Sequence, residues 1–285
     1  MEQNNKGVIL GQRYTDYVGG TLPYEERNSD GNWEQYLPSG EWQGNKSEDT
    51  MACVSFSALN SLETQYKFYT GQEKNFSDRF TATMSGTTRQ GNYLWKVADS
   101  IRHDGVVEEQ DYPAPENYTW DAYYTAVPIE IINKAKLFLH SWKVEYEWID
   151  ISKDSLIYHL KHAPIQVVFP NHAVLGFYST QQVIKYFDSY APYIKERESI
   201  THAMKIVLTK IGETLDMLKL IKESEFASDI YVVSGTKRFH ILDPDSFLRG
   251  IDSLWPTWTG VVVEDPRQYQ YGGALFIAKP DDKVK

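Results

Sequence analysis

The sequence predicts an α+β chain of two lobes with a small tail. Three observations carry that expectation. Stretches of helical periodicity follow one another between residues 50 and 102, short strand-like runs separated by turn residues fill 164–208, and the pattern restarts beyond 211 with a hairpin of its own. Helices first and strands later, with antiparallel-type connections, is the α+β arrangement, and a cleft between the lobes is the natural place for a site. The expected organisation is an extended N-terminal arm over 1–48, a central two-lobed unit over 49–210 and a small α/β module over 211–285.

Residues 1–48 are polar and punctuated by Gly19-Gly20, Asn28-Ser-Asp-Gly31 and Pro38-Ser-Gly40, as expected of an arm lying on the rest. The first helix is expected over 50–69: Val54, Ala58, Leu59 and Leu62 recur at helical spacing, and Asp49 or Thr50 can cap the start. A short helix over 76–84 and a loop over 86–92 follow. Leu94, Val97, Ala98 and Ile101 then share one face of a third helix over 94–102, which Gly105 stops. Residues 129–142 predict an amphipathic helix, 143–149 a strand, and 152–162 a helix with Ser152 as its N-cap. A buried strand over 164–169 leads to strands over 172–178 and 183–188 joined by a polar turn, and 201–208 adds one more. In the tail, 213–222 reads as a short helix, 229–241 as a hairpin turning at Ser234-Gly235, and Asp243 opens a capped helical turn.

Composition narrows the function. Of 285 residues 41% are hydrophobic, enough for a real core, and the 14% that are aromatic suit either that core or a surface gripping chains or glycans. A net charge of −10 with no basic stretch argues against nucleic acid as a partner. One cysteine excludes an intramolecular disulfide and any multi-cysteine metal site, and suggests a reducing cytoplasm. The N-terminal residues lack the apolar core of a signal peptide, and no run is long and apolar enough to span a bilayer, so a protein made in the cytoplasm, with no membrane partner, is expected. His159 and His162 share a helix face without accompanying carboxylates, a solvated face rather than a metal site. No phosphate loop or Gly-x-Ser-x-Gly elbow occurs, and no cofactor is expected.

The single cysteine, Cys53, opens the first helix. There the macrodipole and unpaired N–H groups favour thiolate over thiol. A catalytic thiol needs a base, and the base needs an orienting partner. His172 enters one strand and Asp188 leaves the next, sixteen residues on, so the two can meet across a hairpin. His202, in Thr-His-Ala-Met, competes with His172 but lacks an Asp/Asn-Ser-aromatic segment after it; His103, His140, His159, His162 and His240 read as surface or packing residues.

These blocks resemble a known family. Cys53-Val-Ser-Phe-Ser-Ala is similar to the Cys-Trp-Ala-Phe-Ser block of papain-like cysteine peptidases, His172-Ala-Val-Leu-Gly-Phe to their His-Ala-Val block, and Asp188-Ser-Tyr190 stands where they have Asn-Ser-Trp. Gly91-Asn92-Tyr-Leu-Trp95, Gly105-Val-Val and Tyr112-Pro113 follow in the same order, and the resemblance covers roughly residues 20–210. It implies a papain-like fold and a cysteine-type peptidase acting on polypeptides, with Cys53 as nucleophile, His172 as base and Asp188 as orienter. The Asp charge would favour a thiolate–imidazolium pair. Tyr190 would shield the His172–Asp188 bond, and Gly91 and Asn92 would pair with the substrate backbone. One oxyanion donor would be the Cys53 N–H; the other would be Gln43, if the loop holds an insertion, or Ser47, at the family's spacing of six.

The central unit looks closest to peptidases encoded by tailed bacteriophages, and the tail resembles small modules of phage and bacterial surface proteins. The resemblance thus implies a phage-encoded enzyme with virion or cell-surface partners. The alternatives are a non-catalytic virion structural or attachment protein on the same scaffold, and a cell-wall amide hydrolase. The arm is too short for the family's helical inhibitory propeptide, so no zymogen of that kind is expected.

Overall fold

The helix that begins at Cys53 is buried on every side. The computed structural model describes residues 7–11, 25–44, 48–116, 118–211 and the strands at 219–222, 230–234, 237–241, 262–263 and 270–275. Its helices are α1 (Cys53–Thr70), α2 (Asp78–Met84), α3 (Leu94–Asp104), α4 (Trp120–Tyr123), α5 (Ile129–Lys136), α6 (Phe138–Ser141) and α7 (Lys153–Leu160). Its strands are β1 (Val8–Ile9), β2 (Asn92–Tyr93), β3 (Trp142–Ile149), β4 (Ile165–Phe169), β5 (His172–Ser179), β6 (Ile184–Phe187), β7 (Ile194–Arg197), β8 (His202–Lys210), β9 (Lys219–Lys222), β10 (Ile230–Ser234), β11 (Lys237–Ile241), β12 (Val262–Val263) and β13 (Gln270–Leu275). Residues 1–210 form one compact unit and 211–285 a second.

In α1 every residue from Cys53 to Gln65 is buried, so its polar side chains need internal partners. Ser57 Oγ donates back to the Cys53 carbonyl, Thr64 Oγ1 to that of Asn60, and Gln65 Nε2 to those of Ser61 and Ile206. Asp49 and Thr50 do not cap this helix: its N-cap is Ala52, with no side-chain cap. Thr50 Oγ1 instead donates to the Gln43 carbonyl, and Asp49 Oδ1 accepts the Met51 N–H. Met51, at φ 56°, turns the chain into the helix through a conformation uncommon for a residue with a Cβ.

Six strands pair antiparallel in the order β3-β8-β4-β5-β6-β7. Both faces of this sheet are covered, which explains near-continuous apolar runs such as Ile-Gln-Val-Val-Phe. Val168, Ala173, Met204, Ile206 and Leu208 face a core shared with α1 and α3, while Ile165, Val167, Val174, Phe177 and Ala203 face a second core with α7. Trp33, fully buried, belongs to that second core and donates its Nε1–H to the Leu160 carbonyl at 2.6 Å. The result is the α+β arrangement of a helical lobe and an antiparallel β lobe.

Several elements depart from expectation. The helix expected over 129–142 breaks at Leu137 into α5 and α6, and it ends at Ser141 because Trp142, packed against Tyr66 and Phe138, already belongs to β3. Ser152 occupies the N-cap of α7 but makes no capping bond. His159 and His162 are buried rather than solvated. In the second unit the described elements are strands in the order β12-β9-β10-β11-β13. Lys219–Lys222 is a strand where a helix is expected, because it pairs with β10; Ser234 pairs with Lys237 at the end of the expected hairpin. The helical turn expected at Asp243 lies outside the described residues.

Candidate active site

Three elements bring the chemistry together: the start of α1, the start of β5 and the end of β6. The β4–β5 hairpin turns through Pro170-Asn171, Asn171 taking φ 67°, and delivers His172 opposite Phe169. Asn accepts this left-handed geometry better than most residues. Strand β6 pairs Phe187 with Leu175, so the next residue, Asp188, returns towards His172. His172 Nε2 lies 2.7 Å from Asp188 Oδ1. The next residue of β5, Ala173, donates its N–H to Cys53 Sγ at 3.4 Å, which puts the thiol beside the histidine. His172 Nδ1, the other ring nitrogen, is buried without a hydrogen-bond partner. Cys53, His172 and Asp188 are therefore one buried cluster, whereas His202 packs its ring edge-on to Trp148.

The electrostatics differ from the expected activated thiolate. Burial pushes the Cys53 thiol up to about 12, with Asp49 and Asp188 adding to the rise. The Ala173 N–H works in the other direction but does not offset full desolvation. Cys53 thus rests as the thiol, not the thiolate. Asp188 behaves oppositely. Burial raises its carboxyl, but the bonds from His172 and Lys195 outweigh it and hold the group below the ordinary carboxylate range. Lys195 Nζ also donates to the Tyr190 carbonyl at 2.9 Å. No sequence block pointed to Lys195. Its signal is only the short polar alternation of β7, which pairs Phe187 with Ile194.

Gln43 is fully buried beside this cluster. Its Oε1 accepts from Ser189 Oγ at 2.9 Å and its Nε2 donates to Asp49 Oδ1 at 2.8 Å. The other Asp49 oxygen accepts the Tyr190 hydroxyl. Asp49 thereby joins the Gln43 loop to the Asp188-Ser-Tyr190 segment, a role its sequence position did not reveal. Tyr190 sets its ring 5.6 Å from that of His172, as a shield would. Burial, with Asp49 alongside, raises the Tyr190 phenol, so it stays protonated and donates. Ser47 lies outside the described residues. Gln166, also missed, donates from β4 to the Val54 carbonyl at 3.0 Å and to Ser57 Oγ at 2.8 Å, tying the sheet to the first turn of α1.

Gly91 and Asn92 are not open to solvent. The Asn92 N–H donates to the Gly7 carbonyl at 2.9 Å, and β1 runs parallel to β2 along this edge. The Asn92 side chain is spent on Ser85 and Thr87. Gly7, at φ 106°, sits so close to Met51 that a Cβ would meet the Met51 carbonyl oxygen at 1.9 Å. The N-terminal segment therefore passes between Met51, two residues before the cysteine, and the Gly91-Asn92 edge.

No family model matches the sequence, and no curated protein matches it. Among solved structures it is similar to the bromelain protease of Ananas comosus, at 18% identity over 63% of this chain and 97% of that one, with a TM-score of 0.48. A procathepsin L2 proteinase from the larval midgut of Tenebrio molitor gives 13% identity, 72% and 78% coverage and a TM-score of 0.49. The Amb a 11 cysteine protease, a ragweed pollen allergen in its proform, gives 16%, 63% and 66%, and 0.46. The described residues of the first unit form a helical lobe and an antiparallel β lobe, with the cysteine at the head of a helix packed against the sheet.

Proposed function

We propose that the chain is a cysteine peptidase using Cys53, His172 and Asp188. The observation that carries this is the join of three sequence-distant groups: His172 bonded to Asp188 through Nε2, its Nδ1 unpartnered, and Cys53 Sγ against the next backbone N–H. His172 Nδ1 takes the thiol proton as Sγ attacks the amide carbonyl carbon. Asp188 holds the imidazole through Nε2 and stabilises the imidazolium that forms. The oxyanion is met by the Cys53 N–H, which has no partner within the helix, and by the Gln43 side-chain amide. His172 then protonates the departing amine, and water, activated by the same imidazole, hydrolyses the thioester. Because the thiol rests neutral, proton transfer accompanies attack instead of preceding it. A phage setting, with virion or cell-surface proteins as partners and a site of action on the virion, is a further part of this proposal and rests on the likeness of sequence blocks.

The raised Cys53 thiol and the segment laid over Asn92 favour a second reading, a non-catalytic structural or attachment protein on this scaffold. Incubation with casein, and separately with purified cell wall, tests both. Casein cleavage that is lost in Cys53→Ala supports the peptidase; release of wall peptides alone makes it an amidase; no Cys53-dependent product from either leaves the scaffold.

A further inference from the structure

A cavity of about 340 Å³ opens beside Gln43 and is walled by Glu41, Thr50, Phe56, Asp78, Glu109 and Tyr118. Phe56 lies three residues along α1 from Cys53, roughly 4.5 Å of helix rise, so the cavity adjoins the nucleophile. Three of its walls are acids and one, Arg79, is a cation. Asp78 is 6% exposed, and its Oδ1 is buried with no hydrogen-bond partner. Burial pushes its carboxyl well up, and the neighbours that act on it, Glu41, Glu63 and Glu109, are acids that push it further, Glu41 also through a hydrogen bond to the Asp78 carboxyl. Arg79, which also lines the cavity, is bonded elsewhere. Arg79 spends its guanidinium on the carbonyls of Tyr123, Pro113 and Ala122 and on Thr125 Oγ1, and stacks over Tyr112. A buried carboxylate normally has a cation or several donors. None of the Arg79 bonds reaches Asp78, and the cavity leaves space for a second cation.

We propose that this cavity is a subsite for a basic side chain, lysine or arginine, of a polypeptide bound across Cys53. The inference rests on the peptidase reading for what the subsite serves, not for what it binds. An entering ammonium or guanidinium pairs with Asp78 and Glu41 and displaces the proton that Asp78 otherwise keeps. The Phe56 and Tyr118 rings cover its aliphatic stem, as such side chains prefer. A chain of net charge −10 also draws cationic segments towards itself.

The test uses quenched fluorescent octapeptides of one sequence, with lysine scanned through the positions and norleucine, of similar length but uncharged, as the control. Hydrolysis is measured with the whole chain, and binding by anisotropy with Cys53→Ala. At one position lysine should exceed norleucine by about tenfold or more, the worth of a charge-assisted bond. Asp78→Asn, and separately Glu41→Gln on a less buried wall, should each cut that ratio to less than about threefold. Lysine-dependent binding without hydrolysis keeps the subsite and rejects the peptidase. Hydrolysis with equal lysine and norleucine rates at every position keeps the peptidase and rejects the subsite. Neither hydrolysis nor lysine-dependent binding rejects both.

Discussion

Lys195 Nζ lies 2.7 Å from Asp188 Oδ2, on the side of the carboxylate away from His172. The charge that distinguishes Asp188 from an Asn is therefore shared with a cation, and the imidazole faces something nearer to a neutral acceptor. Lys195→Met should lower kcat/KM by about tenfold, the scale of one charge-assisted bond. It should also move the acid limb of the pH profile upwards. Asp188 is held low partly by Lys195, so without it the carboxyl takes a proton at higher pH and lets go of the His172 N–H. Lys195→Arg should restore the limb. A lysine with only a structural role would leave the limb where it was.

The buried thiol predicts slow chemistry in the resting state. A thiol raised to about 12 is almost wholly protonated at pH 7.5, whereas an unfolded cysteine near 8.5 is about one-tenth thiolate. Alkylation by iodoacetamide at pH 7.5, followed by intact mass, should be slower in the native chain than in urea. Faster native labelling would show an ion-paired thiolate and contradict the neutral resting thiol.

The segment Gly7–Ile9 occupies the edge that an extended substrate would use in the proposed reaction. Removing residues 1–11 should raise kcat/KM several-fold, since added-strand binding needs that N–H free. Gly7→Ala should do the same, because its Cβ would strike the Met51 carbonyl oxygen. Unchanged kinetics in both variants would mean that substrate takes another path.

Away from the site, Lys205 and Glu147 form an ion pair at 2.9 Å with both side chains fully buried, and His159 Nδ1 lies 2.9 Å from the same ammonium. Burial, then Lys205, lowers His159 to about 4. An unfolded histidine binds its proton near 6.5, so between about 4 and 6.5 the unfolded state holds more protons. Stability should therefore fall as pH drops through that window. His159→Gln should flatten the slope, as read by urea unfolding at pH 4.5, 5.5, 6.5 and 7.5; an unchanged slope would assign it to other groups.

What could be read from the sequence was local or ordered along the chain. Cys53 at a helix start needs only periodicity, and His172 with Asp188 needs only two adjacent strands and a short turn. Gly105, at φ 77° with its N–H on Ile101, ends α3 as a helix-stopping glycine should. What could not be read depends on long-range pairing or on desolvation. Lys195 reaches the site only because β7 pairs with β6, and Ile194–Arg197 has no buried face to announce itself. The cover over Asn92 is a parallel pairing between positions 84 residues apart, Val8 with Asn92. The helix terminus suggested an anion-friendly end for Cys53, but spacing carries no information on how completely a thiol is buried, and burial wins here.

The central claim is that Cys53 is the nucleophile. It is tested most directly by mixing the chain with an activated peptide ester, quenching with acid, and measuring intact mass with peptide mapping. The proposed chemistry predicts a mass increase equal to the acyl group, on Cys53 alone, with release of the alcohol and loss of the adduct in Cys53→Ala and His172→Ala. No adduct, or one that persists when Cys53 is replaced, would contradict it.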